Sequence, residues 1–188
     1  MRRNSAMIEV RFHGRGGQGA VTSAELIALA AIDEGQYAQA FPSFGPERRG
    51  APVVAFLRVS PSQIRIRSKV YHPDIVVVLD PTLLDIVDVS AGLKPKGLLV
   101  INTAKSLEQI KKDYGFKGSL AVVDASKIAM EEMKVPITNT TMLGALIRAG
   151  KVAKLESMDK PLAHRFGKIA ERNKKAMQRA FDETQIKE

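Results

Sequence analysis

Between Ile8 and His13 apolar residues alternate with polar ones, Ile8, Val10 and Phe12 against Glu9, Arg11 and His13, which predicts a strand with one covered face. The strand runs into Gly14. Beyond the glycines, Ala20 to Glu34 sets Ala24, Ile27, Leu29 and Ala31 among strong helix formers, and Gly35 supplies a stop. Strand, glycine loop and helix together open a βαβ unit. Tyr37 to Phe41 reads as a short second strand and Val53 to Val59 as a third. Ile64-Arg65-Ile66-Arg67 alternates strictly, and the expectation is an antiparallel hairpin with the third strand, turned by Ser60-Pro61-Ser62.

Ile75 to Leu79 is uniformly apolar, the pattern of a strand covered on both faces, and Asp80-Pro81 ends it. Leu98 to Ile101 and Leu120 to Val123 repeat that pattern. Each ends in a polar residue, Asn102 or Asp124, and each precedes a helix candidate. Asp80, Asn102 and Asp124 are expected to cap the turns or helices that follow. From Pro136 onward no strand is expected. Asn139 is the expected cap of a helix through Met142 to Ala149, stopped by Gly150, and a last helix is expected from near Phe166 to about Gln185. Its apolar stripe of Ile169, Ala176, Ala180 and Phe181 is narrow, with Lys168, Arg172, Lys174, Lys175 and Arg179 facing out. The alternation predicts a three-layer α/β/α fold with a mostly parallel sheet, an antiparallel hairpin piece and a helical C-terminal extension. Residues 1–188 form one domain in this reading, with a core over about 7–150 and the extension over about 151–188.

Composition narrows the function. The chain has 188 residues, 45% hydrophobic and 26% charged, and no cysteine, so it cannot hold an iron–sulfur cluster, a cysteine-ligated zinc or a thiol nucleophile. His13, His72 and His164 have no metal-ligand spacing, and no metal site is expected. His13, at a strand end, reads as structural and not as a general base. The longest uncharged apolar run, Leu26 to Ile32, is far below the roughly 20 residues that span a bilayer. No signal-like segment follows the basic start, because Glu9 and Arg11 interrupt it. The expected location is the cytoplasm, with no membrane contact. The 29 basic against 20 acidic residues give +9, which calls for an anionic counterpart. Nucleic acid is a poor one, since aromatics are only 5% and no recognition motif is present.

Gly14-Arg15-Gly16-Gly17-Gln18-Gly19 matches G-x-G-x-x-G in a strand-to-helix context. Two readings remain open. The loop is either a phosphate-binding nest at a helix N-terminus or a tight turn that needs glycine only for its backbone angles. A free-standing dinucleotide enzyme is disfavoured, because the second strand, Tyr37-Ala38-Gln39-Ala40-Phe41, lacks the acid that holds the ribose. A P-loop is excluded by Ala20-Val21 in place of Lys and Ser/Thr. The loop Ser43 to Pro52 is expected beside the glycines, with Arg48 and Arg49 presented on a backbone stiffened by Gly45, Pro46 and Gly50. Catalytic residues are not expected. The candidate binding residues are Gly14, Arg15, Gly16, Gly17, Gln18, Gly19, Ser43, Arg48 and Arg49.

Three stretches carry a family resemblance: Gly14-Arg15-Gly16-Gly17-Gln18-Gly19-Ala20-Val21, Ser43-Phe44-Gly45-Pro46-Glu47-Arg48-Arg49-Gly50-Ala51-Pro52, and Asn139-Thr140-Thr141-Met142-Leu143-Gly144-Ala145. In these, and over nearly its whole length, the chain resembles the gamma subunit of the 2-oxoacid:ferredoxin oxidoreductases, most closely the pyruvate (pyruvate synthase) branch. The resemblance implies a Rossmann-like domain in an assembly that oxidatively decarboxylates pyruvate with coenzyme A to acetyl-CoA and CO2, reduces ferredoxin, and can run in reverse. It implies thiamine diphosphate with Mg²⁺ between alpha and beta subunits, [4Fe–4S] clusters on a delta subunit, and no cofactor bound by this chain alone. In agreement, the sequence has no Gly-Asp-Gly start of a thiamine diphosphate motif and no cysteine. By the same resemblance this chain completes the assembly and lines part of the coenzyme A approach, where the glycine nest, Arg15, Arg48 and Arg49 would meet either the cofactor's phosphates or acidic residues of a partner. The alternative is an independent Rossmann-like module for a nucleotide or a nucleotide-linked cofactor.

Overall fold

The apolar runs assemble side by side. In a computed structural model that describes residues 7–43 and 50–187, they form one seven-stranded sheet. Its strands are β1 (Ile8–Arg15), β2 (Tyr37–Pro42), β3 (Pro52–Ser60), β4 (Ile75–Val78), β5 (Leu98–Asn102), β6 (Ser119–Val123) and β7 (Gln185–Lys187), in spatial order β2-β3-β1-β4-β5-β6-β7. β1, β4, β5 and β6 are mutually parallel, whereas β3 runs antiparallel to both β1 and β2, and β7 antiparallel to β6. The helices are α1 (Ala20–Asp33), α2 (Leu107–Tyr114), α3 (Ala125–Met133), α4 (Asn139–Gly150), α5 (Asp159–Phe166) and α6 (Ala170–Glu183).

Alternation along β4 builds both cores at once. Ile75 and Val77 face a large cluster with α1, α3, α4, α5 and α6, while Val76 and Val78 face a smaller one with Leu83, Val89 and α2. The result is the three-layer fold expected, with the second layer thin over β3 and β1. There the sheet presents Arg11, His13 and Phe56 beneath the irregular segment 61–74.

Three expectations need correction: a strand at Ile64 to Arg67, a single last helix, and no strand after Pro136. Ile64 to Arg67 is not a strand, because β3 is already paired on both edges, by β1 and by β2, and offers no free ladder. The antiparallel pairings of the fold are β2–β3, β1–β3 and β6–β7. The segment is instead tied down side chain by side chain. Gln39 donates to the Ile64 carbonyl, and the buried Arg58, paired with Glu9 at 2.9 Å, donates to the carbonyls of Ser68 and Lys69.

The C-terminal helix is likewise two helices. Gly167, at φ +49°, breaks the chain between α5 and α6, so Ile169 is half exposed while Ala176, Met177 and Ala180 enter the main core. After α6 the chain returns to the sheet as β7, too short and polar to leave a strand signature. α6 crosses α4 at Gly144, where a side chain would collide with the Met177 carbonyl.

Candidate functional site

Parallel strands bring their carboxyl ends to one edge, and there the glycine loop meets residues from three other places in the chain. The loop folds on itself first: the Gln18 side-chain oxygen accepts from Arg15 N–H at 2.7 Å, and Gln18 N–H donates to the Arg15 carbonyl at 2.9 Å. Gly17 and Gly19 hold φ of +94° and +81°, the left-handed region that makes glycine the fitting residue. The antiparallel β2–β3 pair then returns the chain to the loop. Gly16 N–H donates to the Ala51 carbonyl, and Gly50 N–H donates to the Gly16 carbonyl.

Asp80, just beyond β4, is the hub. Its Oδ2 lies 3.2 Å from Arg15 Nε and accepts from Gln18 Nε2 at 2.8 Å, while Oδ1 accepts from the Thr82 N–H and hydroxyl. The rest of the Arg15 guanidinium is used too, donating to the Gly50 carbonyl and to Thr82 Oγ1. Burial acts to raise the Asp80 carboxyl, but the hydrogen bonds from Thr82 and Gln18 and the Arg15 charge outweigh it and hold the group below the ordinary carboxylate range. Arg15 is therefore a neutralised strut of the loop. α1 starts at Ala20 behind Gly19 with no side-chain cap, which leaves its first N–H groups, at the positive end of its dipole, without a capping side chain.

Asn139 closes the loop from behind. It is the first residue of α4 and not its cap, Thr138 occupying that position without a side-chain bond, so the expected capping role is corrected. The Asn139 side chain is buried against Gly19, and its Oδ1 has no hydrogen-bond partner. Asp80 and Asp124 do cap, accepting from Thr82 N–H and Lys127 N–H, and Asn102 joins the Leu79 carbonyl to Ser126 at the head of α3.

On the same face of β1, one residue pair back, His13 lines an open cleft of about 540 Å³ with Arg11, Ser43, Phe56, Tyr71 and His72. Burial, and then the neighbouring Arg11, pull the His13 imidazole down to about 4 despite Asp88, so it is neutral near pH 7, and its Nε2 has no partner. Arg48 and Arg49 lie outside the described residues. Ser43 binds the Val54 carbonyl through its N–H and borders the cleft. No group of three metal-ligating side chains occurs among the described residues, and no helix there is long and apolar enough to cross a membrane.

Sequence reasoning placed the glycine loop but missed Asp80 and Thr82 as its supports. The available signal was Asp80 following an apolar central strand, at the edge where α/β sheets gather their polar side chains.

The fold is that of a mixed α/β domain with a glycine loop at the carboxyl edge of its parallel strands. Residues 9–183 match the family described as pyruvate ferredoxin/flavodoxin oxidoreductase. The chain is 54% identical over 184 residues to the pyruvate/ketoisovalerate oxidoreductases common subunit gamma of Thermococcus kodakarensis, covering 97% of this chain and 100% of that one. It is 45% identical to the pyruvate synthase subunit PorC of Thermotoga maritima, covering 96% of each. The crystal structure of the Thermotoga maritima pyruvate oxidoreductase subunit PorC superposes with a TM-score of 0.87 at 41% identity, over 97% of this chain and 99% of that one. The chain belongs to the gamma-subunit family of the pyruvate/2-oxoacid:ferredoxin oxidoreductases. Its relatives are subunits of pyruvate synthase, an oxidoreductase acting on 2-oxoacids.

Proposed function

We propose that this chain is the non-catalytic gamma subunit of a cytoplasmic pyruvate:ferredoxin oxidoreductase, working with alpha, beta and delta subunits to convert pyruvate and coenzyme A to acetyl-CoA and CO2 with reduction of ferredoxin. The end-to-end identity to the Thermococcus gamma subunit and the Thermotoga PorC carries this reading. Thiamine diphosphate, Mg²⁺ and the [4Fe–4S] clusters belong to the other subunits in it, which fits a chain without cysteine and, among its described residues, without a metal-binding cluster.

This chain's own part is assembly and a wall of the coenzyme A approach. The uncapped head of α1, with Gly14, Gly16, Gly17, Gln18 and Gly19 fixing it, would receive a phosphate through backbone N–H groups. Ser43, Arg48 and Arg49 would supply the rim, toward coenzyme A or toward acidic residues of a partner. Arg15 braces the loop and leaves the contact to these groups.

The test is purification of the native complex through a tag on this chain, with identification of its partners and assay of pyruvate- and coenzyme A-dependent reduction of a low-potential dye. Alpha-, beta- and delta-like partners with that activity are expected. A stable single chain without partners would overturn the reading. In the complex, Arg48→Ala with Arg49→Ala is expected to raise KM for coenzyme A more than KM for pyruvate if the rim faces the cofactor, and to loosen the assembly if it faces a partner.

A further inference from the structure

The strand-like alternation of Ile64 to Arg67 finds no ladder inside the chain. From Gln63 to Arg67 the backbone runs without a turn or bend, yet no N–H of these residues donates to a backbone or side-chain group among the described residues. The segment is nonetheless held at both ends. Gln39 Nε2 donates to the Ile64 carbonyl at 3.3 Å, Arg58 Nη2 donates to the carbonyls of Ser68 at 2.8 Å and Lys69 at 3.3 Å, and Val70 is buried. Such anchoring lowers the ordering cost of adding a partner. In an extended chain the N–H and C=O groups of successive residues point to opposite edges. With the Ile64 carbonyl turned to Gln39, those of Arg65 and Arg67 turn to the other edge.

Charge selects the occupant of that edge. The stretch from Pro61 to Pro73 contains Arg65, Arg67 and Lys69 and no acid. All three cations are exposed, and none forms an ion pair among the described residues. Ile66, between the two arginines, is 45% exposed. A strand laid beside this one is therefore favoured when it sets carboxylates opposite the arginines and an apolar side chain opposite Ile66. A second copy of this chain fails that requirement. Antiparallel pairing about Ile66 would set Arg65 of each copy against Arg67 of the other, between two chains that each carry +9.

We propose that Ile64 to Arg67 pairs, strand to strand, with an extended segment of another subunit of the same oxidoreductase, one in which Asp or Glu alternates with apolar residues. Main-chain bonds at Arg65 and Arg67 hold that segment, and the two guanidinium groups select it. The inference rests on the chain's working inside an assembly. It also gives the period-two pattern a cause, because an alternation without a ladder in one chain is matched by a neighbour.

The test uses the complex co-purified through a tag on this chain. Arg65→Glu with Arg67→Glu is expected to lower recovery of the paired subunit at least tenfold, whereas Arg65→Lys with Arg67→Lys keeps it within about threefold of the wild type. Thermal unfolding of each variant chain checks that its fold persists. Within the wild-type complex, the Arg65 and Arg67 amides are expected to exchange hydrogen at least a hundredfold more slowly than unprotected amides, a signature of the ladder that charge attraction alone does not produce. A photo-crosslinker in place of Ile66 is expected to attach to a segment of another subunit that alternates acidic and apolar residues, and changing those acids to lysine should restore recovery with the doubly reversed chain. Wild-type recovery from the reversed chain, unprotected amides at both arginines, or a crosslink only to a second copy of this chain would overturn the strand pairing while leaving the subunit reading intact. Absence of every partner from the wild-type preparation would overturn both.

Discussion

A Cβ at position 19 would lie 2.6 Å from Nδ2 of Asn139. Gly19 is thus demanded twice, by its left-handed backbone and by the buried amide behind it. Gly17 is demanded once, since nothing lies within 4 Å of a Cβ there. Gly19→Ala is expected to cost about 2 kcal/mol of unfolding free energy and Gly17→Ala about 1 kcal/mol. Denaturant unfolding of the two variants side by side checks this, and equal losses would remove Asn139 from the explanation.

An exposed helix gains about 1 kcal/mol when glycine becomes alanine. Gly144 is expected to show the opposite sign, because the new methyl would meet the Met177 carbonyl and the Phe181 backbone. Backbone cannot rotate away, so α6 must be pushed off α4, and Gly144→Ala should lose about 3 kcal/mol. The shift in urea midpoint measures it.

The buried imidazole of His13 makes stability depend on pH in a definite direction. In the unfolded chain it takes up a proton near pH 6.5, but in the fold only near 4. Its contribution is full above about pH 6.5, is lost as pH falls through that interval, and is gone below about 4. The loss is about 3 kcal/mol. The difference in unfolding free energy between the wild type and His13→Gln, followed from pH 7 to pH 4, should shrink accordingly, and a constant difference would contradict the shift.

Arg58 is 1% exposed, and Glu9 supplies the single carboxylate paired with it among the described residues. Removing one partner of such a pair leaves a charge without compensation. Glu9→Gln is expected to destabilise by about 3 kcal/mol, and to increase hydrogen exchange around Ser68 and Lys69, whose carbonyls Arg58 holds. Unchanged exchange there would mean that the segment is held by other contacts.

The central strands were legible because burial on both faces leaves a continuous apolar run, as in Ile75 to Val78. The glycine loop was legible because its backbone angles admit few other residues. Ile64 to Arg67 misled for a physical reason: alternation reports what a segment could pair with, but whether an edge is free depends on β2, a strand some 25 residues earlier. β7 and the break at Gly167 escaped because a three-residue strand with a single apolar position, Ile186, and one glycine carry little periodic signal. Within the site, Gly14 to Gly19 form one local structure that spacing could reveal. The support from Asp80 and Asn139 is long-range, and only the folded sheet edge brings those side chains to the loop.

The pairing of Arg15 with Asp80 also fixes how far the glycine loop can be felt. With that guanidinium already balanced, the loop itself projects little net monopole into solvent, and what remains are N–H dipoles that act over a few ångströms. Added salt, which collapses interactions between exposed ions beyond a Debye length of roughly 10 Å at 0.1 M, should scarcely weaken a contact made there. Whatever draws an anion toward this edge from a distance must be sought in charges other than Arg15.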